Sequence, residues 1–199
     1  MKKLNINTTE TKKTCRSNRF RSKVHSTPVF LLVLILLLQA PTMASNTAGN
    51  TKDLIRAAMV YNFCKFVDWP KDEQSENLVL GVMSDGFDVP DFSSIDGKTV
   101  RNLLLEVRTV SSPQDLSECN LLFISQFQGM SMQDAFAESR NESILTISEI
   151  DDFCTKGGVI QMVPRRGKMR FFINRQAADE AGLTLSSQLL KMARIIEGS

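Results

Sequence analysis

Histidine is nearly missing from this chain, and its scarcity excludes whole classes of chemistry. The single copy, His25, lies within the first 44 residues. A chain that loses those residues has no imidazole for a Ser-His-Asp or Cys-His nucleophile or for a metal site. The phosphate-binding loops GxGxxG and GxxxxGK[ST] are also absent from the sequence. We therefore expect a protein that is not an enzyme and that binds neither a metal nor a cofactor.

Long hydrophobic runs are missing as well. The longest, residues 29–38, covers roughly 15 Å as a helix, about half of a ~30 Å bilayer core. Eight basic residues and one acidic residue precede this run, and small residues follow it. This order is typical of a secretory signal peptide, and we predict a leader over residues 1–44 that is cleaved after Ala44. An uncleaved anchor is the alternative reading of the long basic region; a cleaved leader implies export to the periplasm.

Excess positive charge is confined to the predicted leader. The whole chain has 24 basic and 22 acidic residues, and removal of 8 and 1 of these with residues 1–44 leaves 16 and 21. The exported chain therefore has a net charge of about −5 and lacks long basic runs. Neither nucleic acid nor insertion into a membrane after cleavage is expected. The remaining length suits one compact domain over residues 51–199, after a flexible start at residues 45–50.

Cysteines are few, and their number is odd once the leader is removed. Cys15 belongs to the leader, which leaves Cys64, Cys119 and Cys154. Their spacing matches neither a zinc site nor a CxxC motif. Buried, unpaired thiols and a single intrachain disulfide are both compatible with the sequence.

A helix is expected at the start of the exported domain. Thr51 is a suitable N-cap, and apolar residues at helical spacing continue to about Val67. Their stripes occupy more than one side of the helix, which should therefore be buried on more than one face. Trp69 and Pro70 then end it, because the residue before a proline is disfavoured in the α conformation.

The rest of the chain alternates between strands and helices. Strands are expected over residues 78–83, 101–110, 121–125 and 144–147, and a hairpin should pair 159–163 with 169–173 through a turn at 164–167. Helices are expected over 131–140, 174–180 and 186–196, and a short one from Ser148 should be ended by Gly157-Gly158. Buried strands between helices predict an α/β fold, a single domain with a mixed β-sheet flanked by helices in three layers.

Several of these segments, in this order, resemble the YfiR-like family of bacterial periplasmic proteins. The aromatic helix that ends in Trp-Pro is the most specific of them. The matching segments are AAMVYNFCKFVDWP at 57–70, LVLGVM at 78–83, GKTVRNLLLEVRTV at 97–110, CNLLFIS at 119–125, ILTIS at 144–148, GGVIQMV at 157–163 and MRFFINRQAADEAGLTLSSQLLKMA at 169–193.

The resemblance implies a secreted, non-catalytic regulator. It would bind the periplasmic sensor domain of an inner-membrane diguanylate cyclase and repress it, which lowers cyclic di-GMP signalling. The resemblance also implies a homodimer and redox-sensitive disulfides. The family's second cysteine falls near the start of the Gly-Gly strand, where this chain has Gln161 and Val163, so no redox switch centred on Cys154 is expected.

Two groups of polar residues are candidate contacts with a partner or ligand. Asn62 and Lys65 interrupt the apolar helix, although an exposed seam would also explain them. The only dense basic cluster of the acidic exported chain consists of Arg165, Arg166, Lys168 and Arg170. It is either a solvated hairpin tip or a surface complementary to an acidic partner.

A second functional hypothesis remains open from the sequence. The chain could be a periplasmic small-ligand-binding or sensor-accessory module that serves another membrane receptor, such as a histidine kinase. The residues do not separate this hypothesis from repression of a diguanylate cyclase.

Overall fold

A computed structural model describes residues 46–70, 76–87, 89–127, 129–165 and 168–197, with backbone only for 46–50. The chain divides into two units, Met1–Met43 and Ala44–Ser199, and all described residues belong to the second. The predicted leader and its cleavage site lie outside the described residues. Among the helices within these ranges, none combines the length and apolar composition needed to cross a bilayer.

The centre of the described unit is one mixed sheet. Two short strands, β1 (Val67–Asp68) and β9 (Thr184–Leu185), pair separately and antiparallel. The sheet itself consists of β2 (Asn77–Met83), β3 (Thr99–Val100), β4 (Leu103–Thr109), β5 (Leu121–Ile124), β6 (Leu145–Ser148), β7 (Ile160–Arg165), β8 (Lys168–Asn174) and β10 (Arg194–Ile196). Its order is β10-β8-β7-β6-β5-β2-β4-β3. The five central strands, β7, β6, β5, β2 and β4, are parallel to one another. The pairs β3–β4 and β7–β8 are antiparallel.

Helices cover this sheet on both faces, and two separate apolar cores result. One face packs against α1 (Asn46–Cys64), α3 (Arg175–Glu180) and α4 (Ser187–Met192). The other packs against a 3-10 helix, Pro113–Glu118, and α2 (Met132–Asn141). The predicted three-layer α/β architecture is confirmed.

The first helix differs from its prediction at both ends. It begins at Asn46, so residues 46–50 are helical rather than a flexible start; no proline interrupts the chain there. It ends at Cys64 rather than Val67, because Val67 and Asp68 pair with β9. A β-branched residue with a strand partner available is more stable in the sheet than in a fraying last turn.

The segment predicted as one strand over residues 101–110 begins with the turn of the β3–β4 hairpin and continues as β4. Arg101 and Asn102 have φ values of 50° and 69°, so they connect β3 to β4 instead of opening a strand. This pair of left-handed residues is the geometry of a tight two-residue hairpin turn. Asparagine tolerates that geometry better than most residues, but arginine carries no such signal in the sequence.

The helix predicted over residues 148–157 is wrong, because this segment forms turns. Asp152, in the middle of the segment, has a φ of 60°, and a left-handed residue there interrupts a right-handed helix; Gly157, where the helix was expected to end, has a φ of 110°. Between them Phe153 is fully buried against the ring of Phe136, with 5.3 Å between ring centroids. The segment therefore forms turns that bury Phe153 in the core instead of a regular helix.

The C-terminal elements correct two further predictions. The helix predicted over residues 186–196 ends at Met192, and Arg194–Ile196 form β10 against β8. The free edge of β8 offers these three residues interstrand hydrogen bonds that replace helical ones. The hairpin prediction is confirmed, but Pro164 and Arg165 pair within the strands rather than in the turn.

Candidate interaction site

The strand register gathers four cations on one face of the sheet. Arg165 lies opposite Lys168, and Val163 lies opposite Arg170. Side chains two residues apart in a strand share a face, as do directly paired residues. Arg165, Lys168 and Arg170 therefore project on the same side. Arg194 joins them from β10, because it is paired with Phe172 two residues after Arg170. We call Arg165, Lys168, Arg170 and Arg194 the basic face.

A groove of about 840 Å³ runs along the basic face. Apolar residues line it beside the cations, and the Phe172 ring lies under the Arg194 guanidinium, 5.9 Å from ring centroid to Cζ. None of the described residues that line it is acidic. The lining residues are Val163, Arg165, Lys168, Met169, Arg170, Phe171, Phe172, Met192, Ala193 and Arg194.

The charges of the basic face are not compensated within the described ranges. Elsewhere in these ranges, Lys52, Arg56, Arg101, Arg108 and Arg175 form ion pairs with acidic residues. No ion pair among the described residues involves a member of the basic face, and all four side chains are exposed. Four uncompensated cations raise the local potential and attract an anionic partner.

Within the described part of the chain, no helix covers the sheet where the basic face lies. Gln161 shares this face with Val163 and Arg165, but it is buried and accepts a hydrogen bond from the Cys154 N–H at 3.4 Å, so the exposed part begins at Val163. Phe171 points to the opposite face and meets the Phe63 ring of α1, 5.1 Å away. The core beneath α2 and the 3-10 helix contains no residue of β7, β8 or β10. The helices of that layer therefore stop short of the last three strands.

The sequence identified three of these four cations, and the fold supplies the fourth. Arg165, Lys168 and Arg170 are brought together as predicted from their clustering. Arg166, the remaining predicted member, lies outside the described residues. Arg194 was missed because it was assigned to a helix, and only the pairing of β10 with β8 places it here.

The two polar residues of α1 do not join this site. Lys65 donates a hydrogen bond to Asn62 Oδ1 at 3.0 Å, and its Nζ lies 4.3 Å from the centroid of the Tyr61 ring. Tyr61 in turn donates to the carbonyl oxygen of Thr99 at 2.9 Å. Asn62 and Lys65 are exposed. No hydrogen bond or ion pair of the described residues connects them to the basic face, so they remain a prediction.

A buried ionic cluster that the sequence did not reveal fixes α1 to the end of β6. Arg56, only 4% exposed, donates to both carboxylate oxygens of Glu149 at 2.9 and 3.1 Å and also to Asp53. Its guanidinium lies over the Phe123 ring at 5.5 Å, and Lys52 pairs with Glu149 at 3.1 Å. Burial raises the pKa of Glu149, but hydrogen bonds and charge from Arg56 and Lys52 outweigh it and lower the pKa. Ninety-three residues separate Arg56 from Glu149, so no local pattern signals the pair.

Trp69 of the Trp-Pro motif has a structural role, because it is buried and hydrogen-bonded to a distant segment. Trp69 is 6% exposed, and its Nε1–H donates to the carbonyl oxygen of Asn120 at 2.9 Å. The Asn120 side chain accepts from the backbone N–H of Val79 at 2.8 Å. Trp69 therefore ties the segment after α1 to the start of β2 and β5.

The three described cysteines are free and buried. Burial raises the pKa of Cys64 and of Cys154 to about 12 and that of Cys119 to about 11. Since the thiolate is the reactive form, such thiols are poor nucleophiles near neutral pH.

We expect these thiols to resist alkylation in the folded protein. With a pKa of about 11, only about one Cys119 thiol in a thousand is ionised at pH 8, and burial also blocks access. Iodoacetamide should leave folded protein produced without residues 1–44 unmodified and add three groups in urea, as measured by intact mass. Rapid labelling of any cysteine in the native state would contradict the buried placement.

Comparison with known proteins connects this architecture to a family. A model of the YfiR/HmsC-like family matches residues 53–194. A search of curated proteins finds no match. Among solved structures, the chain is similar to the ABC domain from Streptococcus pneumonia in complex with L-Trp, with 11% identity and a TM-score of 0.47. That alignment covers 70% of this chain and 60% of the other. Because the family match includes most of α1, the central sheet and the basic face, this chain belongs to the YfiR/HmsC-like family.

Proposed function

We propose that this protein is a non-catalytic periplasmic regulator that binds the periplasmic domain of an inner-membrane diguanylate cyclase and holds it inactive. Membership of the YfiR/HmsC-like family supports a periplasmic regulator of diguanylate cyclase signalling rather than an enzyme. The observation that carries the contact itself is the basic face, an uncompensated positive surface on an exported chain whose net charge is negative. The partner surface it fits is acidic.

A regulator of this kind acts through differential affinity. It shifts the cyclase toward its inactive conformation only by as much as it binds that conformation more tightly. Moving a two-state population from 1:99 to 99:1 takes a preference of about 10⁴-fold. Charge complementarity contributes to such a preference when the acidic surface is presented in one conformation and not in the other.

Loss and restoration of the protein test this function directly. Deletion of the gene is expected to raise cellular cyclic di-GMP, measured by mass spectrometry, and expression of the full chain is expected to lower it again. Affinity capture from envelope extracts with the exported protein should recover a membrane diguanylate cyclase. A variant without residues 2–44 is the matched control, because it should stay in the cytosol and fail to repress.

Unchanged cyclic di-GMP in the deletion strain would refute repression of a cyclase. Recovery of a sensor kinase in the capture experiment would favour the second candidate function, a ligand-binding accessory of another receptor. The volume of the groove supports that candidate, since about 840 Å³ is within the usual range of small-molecule sites. Four cations in its lining would then select an anionic ligand.

A further inference from the structure

β10 covers only half of the outer edge of β8. Its three residues pair with Phe172, Ile173 and Asn174. Among the described residues, no strand lies beside Lys168–Phe171 on the side away from β7. The groove of the basic face lies along this uncovered half, and Met192 and Ala193 close its end where α4 leads into β10.

The position of Pro164 shows which backbone groups the uncovered edge presents. Pro164 is directly opposite Met169, and proline has no N–H to donate. The pair is therefore a non-hydrogen-bonded one, and hydrogen-bonded and non-hydrogen-bonded pairs alternate along an antiparallel ladder. Met169 and Phe171 consequently direct their N–H and C=O groups away from β7. The Phe171 C=O faces the N–H of Arg194, which pairs with Phe172. The uncovered side therefore presents the N–H and C=O of Met169 and the N–H of Phe171.

The two sides of this edge differ in chemistry. Lys168 and Arg170 project on the basic face, whereas Met169 and Phe171 project on the opposite face and pack against the apolar core under α1. A strand laid along the edge would alternate its own side chains between these two environments. Acidic residues would suit one side of it and apolar residues the other.

We propose that the Lys168–Phe171 edge binds an extended segment of the partner, in which acidic and apolar residues alternate, by β-strand addition. This inference rests on the proposed function and specifies how the partner is recognised. The edge is four residues long and matches roughly 13 Å of extended chain. Main-chain hydrogen bonds to Met169 and Phe171 provide the docking, and the alternating side chains provide selectivity.

Charge also selects the occupant of this edge. A second copy of this chain pairing edge to edge would bring Lys168 and Arg170 beside cations of its own kind. Lysine on an exposed edge is a common protection against such pairing. An acidic segment converts the same cations from a repulsive into an attractive feature.

The test uses a capped eight-residue peptide that alternates glutamate and valine, and two isomers of it. In one isomer every glutamate is N-methylated, and in the other every valine is. Successive residues of a strand direct their N–H groups to opposite sides, so only one isomer loses the hydrogen bonds to β8. Strand addition predicts that fluorescence anisotropy with the exported protein shows at least about tenfold weaker binding for one isomer than for the other. The unmodified peptide should also slow amide exchange at Met169 and Phe171.

Equal affinities of the two isomers, or no binding of the unmodified peptide, would overturn the proposal. Binding to phosphatidylglycerol vesicles as tight as to the peptide would also overturn it, because the edge would then be recognising anionic surfaces in general. If the protein represses a cyclase but the isomers bind equally, strand addition fails and the proposed function stands. If one isomer is selectively weakened but deletion leaves cyclic di-GMP unchanged, the proposed function fails and the strand site stands.

Discussion

Replacement of Arg165 and Arg170 by glutamate is expected to weaken binding of the membrane partner at least about 100-fold and to abolish repression. Both side chains are exposed on the basic face and have no ion-pair partner among the described residues. Reversal of their charge replaces attraction to an acidic surface with repulsion, and close charge pairs at interfaces contribute several kcal/mol. Cellular cyclic di-GMP and the affinity for the captured partner measure the effect.

The fold should survive this double substitution, because exposed positions generally change stability by less than about 0.5 kcal/mol. Lys98→Glu with Arg175→Glu is the matched control, since it reverses two exposed charges outside the basic face. The control is expected to repress normally. Normal repression by Arg165→Glu/Arg170→Glu would remove the basic face from the interface.

Replacement of Arg56 by alanine is expected to lower the free energy of unfolding by about 3 kcal/mol. Arg56 is 4% exposed and makes both hydrogen bonds to the Glu149 carboxylate. Removal of one member of a buried ion pair leaves its partner without compensation, which commonly costs 3–5 kcal/mol. The lower end applies because Lys52 still pairs with Glu149. Urea unfolding followed by the fluorescence of Trp69, the only tryptophan, provides the measurement.

The half-exposed Lys52 is the internal control for this cluster. Lys52→Ala removes an ion pair to the same carboxylate but should cost less than about 1 kcal/mol, because solvent screens an exposed cation. Substitution of both Arg56 and Glu149 by methionine should be less harmful than Arg56→Ala, since the Glu149 carboxylate is then removed together with its buried partner and only Asp53, 27% exposed, loses an ion pair. Equal effects of Lys52→Ala and Arg56→Ala would contradict the buried geometry.

The same cluster predicts a pH dependence. The folded-state pKa of Glu149 is lower than its ordinary value, so the folded state binds this proton less readily than the unfolded state does. The resulting stability is fully present above the ordinary glutamate pKa, and it disappears as the pH falls through the lowered folded pKa. Glu149→Gln should therefore narrow the difference in stability between neutral and acidic pH. An unchanged pH profile in this variant would contradict the lowered pKa.

Local patterns were sufficient where neighbouring residues decide the structure. Asn174 and Ser186 begin the ranges predicted for the last two helices, and each caps its helix by accepting a backbone hydrogen bond, from Ala177 and Leu189 respectively. The strand around Leu78 to Met83 likewise follows from its continuous apolar run. Prediction failed where a distant element competed. Residues 194–196 were predicted to continue a helix, but they pair with the free edge of β8 and form a strand. The segment around Phe153 was also predicted to be helical, but it forms turns in which Phe153 packs against Phe136.

The sequence by itself determined which catalytic and metal-binding side chains are present, the alternation of strands and helices, the likeness to the family and three members of the basic face. Each of these depends on composition or on patterns that neighbouring residues carry. Only the tertiary structure decided that Arg194 joins those cations, that half of the β8 edge stays uncovered, and that Arg56 meets Glu149. These features depend on which strands pair and on where helices end. Strand pairing and helix ends are decided by competition among distant segments for the same hydrogen bonds and the same apolar surface.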